Sequence, residues 1–99
     1  MAINRTRSYA DAGGTVSTTV LTLADIFTGV DLSLASRAWI TVTTNDILYR
    51  YTGSDPAAGS GHVLKAGGAT EIIGNWNVTN LRIIRSGGSD AVYYITLEG

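Results

Sequence analysis

The stretch Gly53–His62, GSDPAAGSGH, holds the single histidine and the single proline of a 99-residue chain, with three of its twelve glycines. A Ser-His-Asp relay would have to be built from His62 with Ser60 and Asp55, its nearest candidates, because the chain has no second imidazole. Such a relay works only when rigid neighbours hold nucleophile and base within hydrogen-bonding reach. A base flanked by Gly59 and Gly61 lacks that support. His62 is therefore expected to open a strand and to bond through its ring to loop backbone, and no catalytic residue is expected. Asp25, Asp31, Asp55 and Asp90 fall one by one along the chain, no D-x-D-x-D loop occurs and there is no cysteine, so no metal site or cofactor is expected. The AGSGH and AGG segments lack the G-x-x-x-x-G-K-[ST] spacing and the following helix of a phosphate cradle. They read as turn glycines.

Aromatic residues are the stronger candidates. Tyr49, Tyr51, Trp76, Tyr93 and Tyr94 could stack sugar rings, but alternation places Tyr49 and Tyr51 on the face of Ile47, and Tyr93 on the face of Ile95 and Leu97. Those three are expected to pack in the core. Trp76 and Tyr94 are left as a candidate glycan-binding pair. Trp39 shares its face with Thr41 and Thr43 and is a candidate interface anchor. Arg5 and Arg7 lie in a polar N-terminal segment, whereas Arg50, Arg82 and Arg85 interrupt apolar strands, where arginine can blunt an edge or pair across an interface.

The elements that must position these groups are strands. Thr15–Leu23 alternates as one strand, and Arg37–Thr44 and Ile47–Tyr51 flank Asn45-Asp46, two residues that tolerate positive φ and so predict a tight hairpin. Asn80–Arg85 and Ala91–Leu97 predict a second hairpin through Ser86–Asp90, and HVLKA and TEIIG predict shorter strands. One helical turn is expected in TLADIFTG, where Thr22 and Asp25 have capping-box spacing and Gly29 can end the turn. No helix is long enough for a βαβ crossover. The expectation is an all-β chain, a small antiparallel β-sandwich or jelly-roll-like barrel with one short helical turn. An N-terminal arm at residues 1–10 precedes a single β-domain at residues 11–99.

Seven basic against eight acidic residues give a net charge of −1, which lacks the dense positive footprint that nucleic acid requires. No apolar run follows Arg5 and Arg7 to make a signal peptide, and none reaches the length of a membrane-spanning helix, so no membrane association is expected. A domain of this size buries a modest core and has no disulfide to support it, so self-association is expected to help.

Residues Ile40–Gly99 resemble small accessory structural proteins of tailed bacteriophage virions. The resemblance rests on Gly53, Pro56, Gly61, His62, Leu64, Ala66 and Gly67 in a G-x-x-P-x-x-x-x-G-H-x-L-x-A-G passage. It extends to Asn80, Leu81, Arg82, Ile84 and Arg85 in an N-L-R-x-I-R strand and to Val92, Tyr93 and Tyr94 in a final V-Y-Y strand. It implies a capsid decoration, or cement, protein made in the host bacterial cytoplasm and carried on the outer capsid surface. The implied partners are the major capsid protein and further copies of the chain in a homotrimer. Ile3, Arg5, Arg7, Tyr9, Trp39, Arg50 and Arg82 are then the residues expected to meet the capsid or a neighbour, with Ala2–Tyr9 free in the isolated protein and ordered on the shell. The other reading is a glycan-binding module of a phage tail or fibre, acting through Trp76 and Tyr94.

Overall fold

The computed structural model describes residues 7–99, so the expectations for Ile3 and Arg5 lie outside the described residues. The described residues form eight strands: β1 (Ser8–Val16), β2 (Leu21–Thr22), β3 (Arg37–Thr44), β4 (Ile47–Arg50), β5 (His62–Leu64), β6 (Ala69–Ile73), β7 (Arg82–Arg85) and β8 (Ala91–Glu98). They form two four-stranded sheets, ordered β1-β8-β3-β6 and β2-β7-β4-β5, and every pairing is antiparallel. The expected all-β, sandwich-like architecture is what the chain adopts.

Alternation builds the core between the sheets. Ala38, Ile40 and Val42 of β3, Ile72 of β6 and Tyr93, Ile95 and Leu97 of β8 turn inward from the first sheet, and Ile47, Leu64 and Ile83 from the second. Each large aliphatic buried in this way favours folding by about 1.5–3 kcal/mol. Tyr49 and Tyr51 pack half-buried against the same cluster, as their alternation with Ile47 predicts.

The two hairpins, however, do not form. β3 belongs to the first sheet and β4 to the second, and β7 and β8 are divided in the same way. Asn45 does take the positive φ (60°) its type allows. Yet its amide side chain donates to the carbonyl of Asp90 (2.8 Å), while the Asp46 carboxylate accepts from the Ala66 amide (2.8 Å) and the Asp46 carbonyl from the Ser86 amide (2.9 Å). These bonds tie the turn to neighbouring segments, and the chain crosses from one sheet to the other instead of folding back. Thr15–Leu23 is also divided: β1 ends at Val16 in the first sheet and β2 begins at Leu21 in the second. Alternation is the same in a hairpin and in an inter-sheet arch, so period alone does not separate them.

The expected arm boundary also moves. β1 starts at Ser8, with a register irregularity around Tyr9, and pairs with β8 over its whole length. Arg7 exchanges backbone bonds with Gly99 (3.3 and 2.8 Å), and the Tyr9 hydroxyl donates to the Asp31 carbonyl (3.0 Å). Arg7 and Tyr9 thus belong to the domain, the first through Gly99 just past β8 and the second, unpaired at the register irregularity, through Asp31.

Helix α1 (Leu23–Ile26) has the expected capping box, the Asp25 amide donating to Thr22 Oγ1 (3.2 Å) and the Thr22 amide to Asp25 Oδ2 (2.9 Å). A second helix, α2 (Asn75–Thr79), and a 3₁₀ turn at Leu32–Leu34 were not expected, both being too short to show a helical period.

Candidate functional site

The GSDPAAGSGH loop is folded on itself. Pro56 is fully buried, Ala57 and Ser60 exchange backbone bonds (3.2 and 2.8 Å) around Ala58-Gly59, and Gly59 takes the positive φ (78°) that the turn requires. Gly61 lies so close to its surroundings that a β-carbon there would be 3.3 Å from Pro56 Cβ and from the Tyr49 carbonyl. His62 opens β5 as expected, opposite Tyr49. Its ring stacks on Tyr51 (centroids 5.7 Å apart, 13° between planes) and lies 5.2 Å from Tyr49, in place of the expected bond to loop backbone. Asp55, the acid a triad would need, instead accepts from Arg82 at 2.6 Å. An open depression of about 350 Å³ lies here, lined by Arg50, Tyr51, Thr52, Ser60, Gly61 and His62.

The strand arginines are engaged within the chain. Arg85 binds Asp90 (2.8 Å), and Arg37 lies between Glu71 (3.1 Å) and Glu98 (3.6 Å). Arg50 stands directly opposite Arg82, and its Nη1 approaches the Asp55 carbonyl at 3.5 Å. Exposed pairs of this kind contribute about 0–1 kcal/mol each. Their main effect is to fix side-chain direction: Arg50 and Arg82 occupy the second sheet, away from Trp39 on the first. The residues expected to meet a neighbour therefore do not form one surface.

One end of the molecule gathers apolar side chains that alternation does not mark. The Asn75 side-chain amide donates to the carbonyls of Leu32 (3.0 Å), Ser33 (3.3 Å) and Ala35 (2.7 Å), and the Gly74 amide donates to Ser36 (2.8 Å). These bonds hold α2 against the 3₁₀ turn. Leu34 (60% exposed), Ile73 (60%) and Trp76 (72%) are left facing solvent at that end. A cleft of about 390 Å³ beside Leu34 is lined by Arg7, Ser8, Tyr9, Leu34 and Gly99. Tyr9's phenol is raised above its ordinary pKa, first by burial and then by Asp31.

The outer face of the first sheet carries the other exposed aromatics. Tyr94 (46% exposed) lies opposite Gly13 on β1 and Thr41 on β3; Trp39 (40% exposed) lies opposite Thr96 on β8 and Glu71 on β6. The two rings are diagonal neighbours on adjacent strands, within reach of a common ligand. Tyr94 leans across Gly13, where a β-carbon would be 2.7 Å from its Cδ1 and 3.3 Å from its Cε1. Its phenol is pushed above the usual value, chiefly by hydrogen bonding with the Asp11 carboxylate. Trp76 is not part of this surface. It follows β6, whose first residue, Ala69, is the one that shares the row of Tyr94 and Thr41, and Ala69 to Ile73 alone spans about 13 Å of strand. The expected Trp76–Tyr94 pair is thus separated, and Trp39 takes the place beside Tyr94. Among the described residues, no group of three His, Cys, Asp or Glu is placed to hold a metal ion, and no helix is long and apolar enough to cross a membrane. Comparison with models of known protein families, with curated proteins and with solved structures finds no match for this chain.

Proposed function

We propose that this chain is a structural component of a tailed-phage virion, a non-catalytic decoration protein that binds the major capsid protein on the outer surface of the shell as a homotrimer. The observation that carries this reading is the grouping of Leu34, Ile73 and Trp76 at one end of the sandwich, held there by the Asn75 bonds. Three large apolar side chains from three elements, each more than half exposed at the same end of so small a domain, support a docking surface there. Trp is among the residues that most often anchor such contacts. The resemblance of Ile40–Gly99 to phage accessory proteins supplies the partner and the trimer number.

Co-sedimentation with emptied capsids of the phage that encodes the chain tests the reading. The native protein is expected to pellet with the shells, and Leu34→Ser and Trp76→Ser are each expected to weaken occupancy by roughly tenfold or more. Shells that leave the protein in the supernatant, or that retain both variants like the native chain, would count against it.

A further inference from the structure

The outer face of the first sheet is a second surface, independent of the capsid-docking reading. We propose that Trp39 and Tyr94, with Asp11 at their edge, form a binding site for a neutral glycan. Three observations lead there.

The first is the presentation of the rings. Gly13 has no side chain, so the Tyr94 ring lies across β1 and not upright between strands. Asp11, opposite Thr96, stands diagonal to Tyr94 on the same face. A ring fixed in this way loses little freedom on binding, which is the condition under which a weak stacking contact gives measurable affinity. Trp39, diagonal to Tyr94 on β3 at the other side of β8, supplies a second ring, so the two rings flank β8 on one face.

The second is the chemistry between the rings. Thr41, Thr43 and Thr96 share this face with the aromatics. A pyranose has the matching pattern, an apolar C–H face that packs on an electron-rich ring and a rim of hydroxyls that bond to threonine oxygens and a carboxylate. A second β-sheet would match poorly, because close face-to-face packing would bury those hydroxyls and Asp11 without partners.

The third is charge. Arg37 is shared by Glu71, which stands opposite Trp39, and Glu98, so one cation meets two carboxylates and, with Asp11, the face keeps a net negative charge. A polyanion, whether nucleic acid or acidic polysaccharide, meets repulsion here. A neutral chain does not.

Titration of the intact protein with cellohexaose and with maltohexaose, followed by backbone and indole NMR shifts, tests the site, with hexagalacturonate as the acidic comparison. At least one neutral probe is expected to give saturable shifts centred on Gly13, Trp39, Thr41 and Tyr94. Trp39→Ala and Tyr94→Ala should each weaken that binding by roughly tenfold or more, and Asp11→Asn by less. Trp76→Ala should leave it unchanged. These side chains are exposed, so circular dichroism of each variant is expected to match the native chain. The proposal is overturned if neither neutral probe saturates, if hexagalacturonate binds as well as they do, or if the Trp39 and Tyr94 variants bind like the native protein. A further result would replace it: no sugar binding, together with loss of shell occupancy in Trp39→Ala, would make the face a protein contact.

Discussion

Asn45 shows how much one side chain can decide. Its positive φ (60°) costs an ordinary L-residue about 1–2 kcal/mol, and its amide also reaches the Asp90 carbonyl across the second inter-sheet crossing. Asn45→Ala should therefore lower unfolding stability by about 1–3 kcal/mol in a urea titration, with Asn45→Gly recovering the backbone part alone. Carboxylates act in the same way on pH dependence. Asp25 is held below its ordinary pKa of 3.8 by the Thr22 backbone amide, Asp31 by the Ser33 hydroxyl and Asp46 by the Ala66 amide. A depressed folded-state pKa means stability that is present above the unfolded value and lost as pH falls through the folded one. The urea midpoint should thus carry the full contribution of these groups around neutrality, with no pH dependence from them there, and should fall once pH drops below about 4, with a shallower fall in Asp46→Asn. A midpoint unchanged down to pH 2 would contradict the assignment. At Gly13, substitution by valine should force the Tyr94 ring off β1, at a cost of about 1–3 kcal/mol.

At the scale of elements, the connections matter more than the strands. Asn75 joins α2 to the 3₁₀ turn through three carbonyls, so Asn75→Ala should cost about 1–3 kcal/mol and also weaken shell binding, because Leu34 and Trp76 would no longer be held together. Near-native occupancy in that variant would separate the two elements' roles. Most of the strands were legible from alternation, since Ile40, Val42, Ile95 and Leu97 each follow an outward-facing residue and each is buried. The capping box of α1 was legible because its two residues bond locally. What alternation could not convey was pairing. Asn45-Asp46 and Ser86–Asp90 have turn chemistry, and only their long-range bonds to one another and to Ala66 make them arches. That misreading also hid the aromatic platform. Trp39 and Tyr94 were each recognisable as surface residues, but they become neighbours only because β3 pairs with β8. Alternation leaves both Trp76 and Tyr94 free of the core, and the short helix that carries Trp76 has no periodic signature to separate the two.

For the whole molecule, the structure offers an apolar end and an aromatic sheet face on one small sandwich, and the proposed roles assign shell binding to the first and sugar binding to the second. Homotrimer formation is expected in multi-angle light scattering at high protein concentration or on the shell. A 10.4 kDa species in solution that also binds shells as isolated single copies would contradict the trimer. The central claim, that the chain decorates a capsid, is tested most directly by its copy number in purified virions, measured by quantitative mass spectrometry against the major capsid protein. The account predicts a fixed, high ratio that survives removal of tails. Absence from virions, or a handful of copies that leave with the tail, would contradict it.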